Sequence, residues 1–438
     1  MTGQASPSKS CDVAIVGAGL AGGLITLALA GKHPELDVLL IDGADHAGGN
    51  HVWSFFGSDV STAGRALLAP LISHRWDAGY DVRFPAYRRH VGTSYNSIES
   101  CQFDAYLRSV LGENLWLGDA VENIAPSEVR LTSGATISCG AVIDARGFAP
   151  QLCDEPSGTK SAFPNYDQCD PAAYSPAGGY IAHSPASDGA GLFLNKASGR
   201  IQCGWQKFVG NVLQLAAPHG LNCPIVMDAT VDQSDGYRFV YVLPLDTRRI
   251  FIEDTYYTDG PELELPAIRD RITAYATEQG WSIDRVVHEE TGVLPVVKQG
   301  AFETVWPQQD ALVRAGVRAG LFHPTTGYSL PMATEYALTL ADHIDQDYQA
   351  LQAWARGWAE RHWRGARYYR LLSTMLFDAA PPNARYRIFE RFYRLPSPLI
   401  SRFYSGQSTV FDKIRILCGK PPVRIRRAMQ AIMRRTRA

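Results

Sequence analysis

Residues 12–42 constrain the fold of this chain more than any other stretch. VAIV (13–16) has the apolar run of a short buried strand, and Leu20 to Lys32 forms an Ala/Leu-rich helical segment closed by His33-Pro34. DVLLID (37–42) is then a second strand, and GAGLAG (17–22) is the turn between strand and helix. Gly17 permits the tight turn, Gly19 lets a pyrophosphate approach the backbone, and Gly22 allows close helix–strand packing. Asp42 follows Gly22 by 20 residues, at the end of the second strand, where a carboxylate binds a ribose hydroxyl. With strand, helix and acid in register, the unit predicts dinucleotide binding, with Gly17, Ala18, Gly19, Leu20, Gly22 and Asp42 as its contacts. The uncharged run from Val13 to Gly31 has the length of a membrane span. Gly17, Gly19, Gly22 and Gly23 and the β-like start fit the nucleotide unit instead, and Asp12 with no framed cleavage site argues against a signal peptide.

Three further loops choose among dinucleotides. GADHAGGNHVWSFF (43–56) is a second Gly-rich turn running into aromatics, which makes Gly49, Asn50 and His51 candidate cofactor contacts. AVIDARG (141–147) is a strand ending in Asp144 and Gly147, a pattern like the second motif of flavoprotein hydroxylases. RAGLFHPTTGYSLP (318–331) sets Pro324, Thr325, Thr326 and Gly327 before a helix whose N-terminus suits a phosphate or an anionic flavin ring. Together they point to FAD. The expected architecture is α/β: a Rossmann-like FAD-binding domain of the flavoprotein hydroxylase type, discontinuous over 11–155 and 286–345. Strand-like segments (GGYIAH, GLFLN, IQCGW, PIVMDAT and a hairpin at 237–257) predict a substrate-binding β-sheet domain over 156–285. A helical, basic, membrane-proximal segment over 346–438 follows.

Charge divides the chain sharply. From Arg361 onward there are 18 Lys and Arg against three acids, while the chain as a whole has a net charge of −2. No nucleic-acid reader motif accompanies that basic tail, and its Trp363, Tyr368, Tyr369, Phe377, Phe392, Tyr393, Phe403 and Tyr404 suit a lipid interface. VRIRRAMQAIMRRTRA (423–438) is expected to lie on a membrane as a basic amphipathic helix. The eight cysteines show neither a C-x-x-C pair nor zinc spacing, so free thiols in a reducing compartment and no structural metal are expected.

The hairpin holds an oddity. In FIEDT (251–255), Glu253 and Asp254 interrupt an apolar strand, where ionised acids are costly unless paired. Strand alternation puts Phe251, Glu253, Thr255 and Tyr257 on one face and Ile252, Asp254 and Tyr256 on the other. Unless a bulge intervenes, only one carboxyl can face a substrate.

With HVWSF, FIEDT, HPTTGYSLP, RFYRLP, RFYSG and RILCGKPPV all present, the chain closely resembles the bacterial lycopene β-cyclases over nearly its whole length. The resemblance implies a flavoprotein that converts the ψ-ends of lycopene, and of other acyclic carotenoids, to β-rings, giving γ-carotene and then β-carotene. It implies reduced FAD as a cofactor in a reaction without net redox change, with NADPH as reductant. The family's Phe-Leu-Glu-Glu-Thr motif keeps its third-position acid here as Glu253, the implied proton donor, while Asp254 replaces the fourth-position Glu. Catalytic candidates are therefore Glu253, Asp254 as its partner, and His323 beside the TTGYS loop. A carboxyl in an apolar pocket keeps its proton near neutral pH, as protonation of an alkene requires. Because lycopene is a bilayer solute, the basic tail is expected to dock the protein peripherally on the cytoplasmic face of the membrane. The EETG stretch (289–292) matches a family segment, with no role assigned beyond a strand.

Overall fold

The computed structural model describes residues 8–148 and 200–418. The opening unit forms β1 (Ser8–Val16), α1 (Leu20–Lys32) and β2 (Val38–Asp42). The chain continues through β3 (Val52–Phe56), α2 (Thr62–Leu68), β4 (His74–Trp76), β5 (Tyr80–Phe84), β6 (Tyr87–Val91) and β7 (Tyr95–Glu99). Helix α3 (Ser100–Leu111) leads to β8 (Leu115–Leu117), β9 (Val121–Ala125), β10 (Glu128–Leu131) and β11 (Thr136–Asp144). The second half holds β12 (Gln202–Leu215), β13 (Ile225–Asp228), β14 (Tyr237–Pro244), β15 (Arg249–Thr258), α4 (Leu265–Glu278) and β16 (Ile283–Gln299). Then come α5 (Phe302–Val305), β17 (Val313–Arg314), α6 (Leu330–Ala341) and five helices: α7 (Tyr348–Gly365), α8 (Arg367–Thr374), α9 (Tyr386–Phe392), α10 (Ser397–Tyr404) and α11 (Val410–Leu417).

The first sheet has the order β8-β2-β1-β11-β10-β9, with β17 also on β11. Its inner strands run parallel. Such strands are covered on both faces, which is why residues 13–16, 38–41 and 141–143 are apolar and buried. Leu24, Ile25 and Leu29 of α1 are fully buried and α1 packs against α6, so the uncharged 13–31 run belongs to the core. Among the described residues no helix is long and apolar enough to cross a membrane.

The second sheet, β16-β12-β15-β14-β13-β5-β6, is largely antiparallel. One face carries α4, with Ile268, Ile272 and Tyr275 against Val240, Val242 and Ile252. The other face turns toward the first sheet and the tail helices. The domain boundaries drawn from sequence need correcting here. β5, β6 and β16, assigned to the nucleotide domain or its edge, belong to the second sheet, because Tyr80, Val82 and Phe84 alternate inward onto it. The segments GGYIAH and GLFLN, the 423–438 helix, and Cys153 and Cys169 lie outside the described residues. The remaining six cysteines are free thiols.

The tail aromatics are also reassigned. Trp363, Tyr369, Phe377, Phe392, Tyr393, Phe403 and Tyr404 are all buried, and six of them, all but Trp363, share a core with Tyr237, Phe251 and Tyr257 of the second sheet. They are apolar packing, not an interfacial belt.

Candidate active site

A cavity of about 1010 Å³ opens along the C-terminal ends of β1, β2 and β11 and reaches the face of the second sheet opposite α4. The C-terminal edge of a parallel sheet is where α/β folds bind ligands. At this end Gly17 has φ +107°, and a Cβ there would sit 2.8 Å from the Ala145 carbonyl carbon. A Cβ on Gly22 would lie 1.9 Å from the Gly17 oxygen, so both must be glycine for α1 to start against β1 and β11. At Gly19 a Cβ would meet nothing within 4 Å, leaving open space above the first turn of α1, whose N-terminus has no side-chain cap. Uncapped N–H groups facing a cavity form an anion site.

The other predicted cofactor residues divide by role. Asp42 lines the cavity, and its carboxylate accepts from Ala18 N (2.7 Å) and Ala44 N (2.9 Å), joining the two Gly-rich turns. Each oxygen keeps capacity for a further donor. Gly19, Leu20, Gly49, His51, Gly147, Thr326 and Gly327 line the cavity. Burial, with His288 nearby, pushes the His51 imidazole down, so it is neutral. Asn50 instead ties its turn to β16, donating to the Glu289 carbonyl (3.4 Å) while its own carbonyl meets His288 Nε2 (3.0 Å). Asp144 lies beneath the cavity floor. Burial raises its carboxyl, but Arg146 (2.9 Å) and Arg318 (3.2 Å) outweigh this and hold it below the usual range. Both arginines line the cavity, and they are cationic site residues that the sequence reading quoted within motifs and did not select. Pro324 sits behind its loop, its carbonyl accepting from Ser373 Oγ (3.3 Å).

At the far end the wall is aromatic, with Phe56, Tyr95, Tyr241, Phe251 and Tyr404. Glu253 projects from β15 into this wall and accepts from Thr255 Oγ1 (2.5 Å). Burial raises its carboxyl, with hydrogen bonds from Thr255 and Glu290 opposing. Glu290 of β16, also on the cavity, is 2% exposed and accepts from Val52 N (2.6 Å). Burial, then the neighbouring Glu253, push Glu290 well above the carboxylate range. Glu290 is a buried, cavity-lining acid that the sequence reading did not select. Its local signal was the EETG stretch (289–292), matched to a family segment and given no role beyond a strand.

Two catalytic candidates are corrected. Asp254 points to the opposite face of the sheet, where Arg238 clasps it (2.8, 3.1 and 2.9 Å) and Tyr256 donates at 2.7 Å. No bulge breaks the β14–β15 or β12–β15 register, so the two-residue period sends the two acids to opposite faces. His323 does not reach the cavity. It is 1% exposed, its ring lies against Tyr369 (4.4 Å) and Phe403 (5.0 Å), and Thr325 N meets its Nδ1 at 3.3 Å. Burial lowers it to about 3, and its carbonyl accepts from Gly327 N (2.9 Å), so it braces the 324–328 loop as a neutral ring.

The chain as a whole has known relatives. The family model described as lycopene cyclase protein matches residues 12–430. The lycopene beta-cyclase of Pseudescherichia vulneris is 41% identical over 422 residues, covering 96% of this chain and 97% of that one. Among solved structures, a geranylgeranyl bacteriochlorophyll reductase-like protein of Thermoplasma acidophilum matches with a TM-score of 0.60 at 11% identity, over 97% of this chain and all of that one. The flavin-dependent brominase Bmp2 matches with a TM-score of 0.56 at 14% identity, over 98% of this chain and 100% of its own. At those identities the structural likeness is one of fold, and it agrees with the flavoprotein architecture expected from the sequence. With the family's model spanning nearly the whole chain and a relative aligned end to end, the chain belongs to the lycopene cyclase family.

Proposed function

We propose that this chain is a lycopene β-cyclase, acting on lycopene and related acyclic carotenoids, with Glu253 as the acid that starts ring closure. The observation that carries the proposal is the Glu253 carboxyl, raised by burial and facing an aromatic cavity. Glu253 gives its proton to the terminal alkene of a ψ-end, forming a C–H bond and leaving a tertiary cation. The 5,6 double bond attacks that cation, and the Glu253 carboxylate takes the neighbouring ring proton to leave a β-ring. Tyr95, Tyr241 and Phe251 exclude water and present ring faces to the cation.

The cradle fits FAD. Gly19 and the N–H groups of α1, with Arg146 and Arg318, would hold the diphosphate, Asp42 a ribose, and Thr326 and Gly327 the isoalloxazine. Bound in its reduced form, with NADPH as reductant, the flavin would supply negative charge that favours the cation.

Peripheral attachment to the cytoplasmic face of the membrane is part of the proposal. On α11, Val410 (73% exposed), Phe411 (74%), Ile414 (54%) and Leu417 (44%) stand in water beside Lys413 and Arg415. An apolar helix face flanked by cations in a basic segment suits an anionic lipid surface.

The test is lycopene with FAD and NADPH under nitrogen, where β-carotene is expected by pigment chromatography. Glu253→Gln should abolish it while flavin stays bound, and heavy water should place deuterium in the ring. A strict need for oxygen would indicate a flavin monooxygenase instead, which this fold also accommodates.

A further inference from the structure

The second sheet places three residues in one row. Gly210 on β12 is registered with Glu253 of β15 on one side and with Glu290 of β16 on the other. Residues in register across a sheet share a face, and adjacent strands lie about 4.8 Å apart. Two glutamates flanking one position would be kept apart by any side chain there. A Cβ on Gly210 would lie 2.5 Å from Phe251 Cζ and 3.0 Å from Glu290 Cγ. The missing side chain is what lets the two carboxyls reach each other above the central strand and hydrogen-bond.

The two acids are not equivalent. Glu290 is the deeper one, and one of its oxygens is already occupied as an acceptor by Val52 N. Glu253 lies across Gly210 in the same row and on the same cavity. Two carboxylates in contact in a dry site cannot both be ionised, so the pair retains a proton. Glu253 has the Thr255 hydroxyl as a second donor to its charged form, whereas burial and the neighbouring carboxyl both oppose charge on Glu290.

Resting on the cyclase reading above, we infer that Glu290 is a positioning residue that stays protonated through the cycle and donates its O–H to Glu253. When Glu253 loses its proton to the alkene, the carboxylate left behind is held by two donors, Thr255 Oγ1 and Glu290. Glu253 is thereby a stronger acid than burial alone would make it. The same O–H keeps Glu253 pointed at the cavity, and the proton returned from the ring goes back to Glu253. No proton leaves Glu290, and the balance of the reaction is unchanged.

Few other groups compete for this role. Tyr95 of β7, Tyr241 of β14 and Tyr257 of β15 act on Glu253 as phenols that burial keeps neutral. Tyr404 of α10 and the neutral His51 line the same cavity. Asp254 acts through the sheet from the opposite face, where Arg238 offsets its charge.

The test compares two substitutions in the flavin-loaded enzyme. In Glu290→Gln the amide oxygen accepts from Val52 N and its N–H donates to Glu253, reproducing a permanently protonated Glu290. Glu290→Met keeps the length and removes the donor. Turnover of lycopene in Glu290→Met should fall about 10- to 100-fold, the loss expected for one hydrogen bond to a charged group. Its alkaline limb should move up by about a unit, because Glu253 loses a donor that favoured its charged form. Glu290→Gln should be at least about tenfold faster than Glu290→Met, with its limb back near that of the parent. Infrared spectra give a second readout should the methionine variant fail to fold. The band of an undissociated carboxyl should persist at high pH in the parent and in Glu253→Gln, and vanish in Glu290→Gln.

A methionine variant with the parent's rate and pH profile overturns the inference. So does a glutamine variant as slow as the methionine one, which would make Glu290 itself the proton donor. Absence of the high-pH carboxyl band overturns it independently. Full activity in Glu253→Gln would instead sink the cyclase acid assignment itself, a result distinct from each of these.

Discussion

The neighbouring acids of β15 make opposite predictions, and Asp254 gives the sharper one. Its side chain is fully buried and that of Arg238 is 10% exposed. Three hydrogen bonds join them, and Tyr256 adds a fourth to the carboxylate. Truncating one member of such a pair leaves the other charge buried and unpaired, at a cost of about 3–5 kcal/mol. Asp254→Leu should therefore lower the stability of the second sheet by about that much, read as a shift in the urea midpoint. Tyr256 still accepts from Arg271 (2.9 Å), but its own O–H loses its acceptor, which adds to the loss. Exchanging both members, Asp254→Leu with Arg238→Met, removes the stranded charge and should recover most of the stability, since apolar replacements of buried pairs are often neutral. The double variant should also cyclise lycopene at near the parent rate per flavin-loaded molecule. A single variant of unchanged stability would refute the energetic argument. A double variant that folds, binds flavin and forms no product would refute the exclusion of Asp254 from the chemistry.

Other outcomes are equally direct. His323 has a folded-state value of about 3 against an ordinary 6.5, so the unfolded chain binds its proton first as pH falls. Its contribution is complete above pH 6.5 and is lost toward pH 3, by up to about 1.4 kcal/mol for each pH unit crossed. His323→Gln should flatten that acid loss in urea titrations, and an unchanged slope counts against a neutral buried ring. Arg146→Ala or Arg318→Ala should weaken FAD binding by at least about tenfold in flavin-fluorescence titrations, the scale of one charge-assisted hydrogen bond. Equal affinity would remove the arginines from the diphosphate site. Phe411→Asp with Ile414→Asp should reduce sedimentation with anionic vesicles while leaving the rate on detergent-dispersed lycopene intact. Unaltered sedimentation would assign lipid contact elsewhere.

What the sequence could reveal followed from the range of each signal. The βαβ unit is contiguous, and its glycines answer to steric demands within a few residues, so turn, helix and Asp42 were all readable locally. The choice between Glu253 and Asp254 was readable too, because alternation in an unbulged strand settles which side chain turns inward. Glu290 and Gly210 were not, since their meaning depends on strand order. β12 lies between β15 and β16, and 37 positions separate Glu253 from Glu290 in the chain. The aromatic tail misled for another reason. Phe and Tyr are favoured both at a lipid interface and in a core, and composition cannot say that Phe392 and Tyr404 cover a sheet while Phe411 stays outside. β5 and β6 were misplaced because β5 pairs in parallel with β13, a contact spanning well over a hundred residues.

The bare position at Gly210 has a consequence for how activity is gained and lost. Reactivity here is not stored in any one side chain. It emerges only when three separate strands have locked into mutual alignment, and before that the chain carries two ordinary, water-facing glutamates. Warming or mild denaturant that loosens this platform would silence ring formation while the dinucleotide cradle still held its guest, giving a yellow, intact-looking and inert protein.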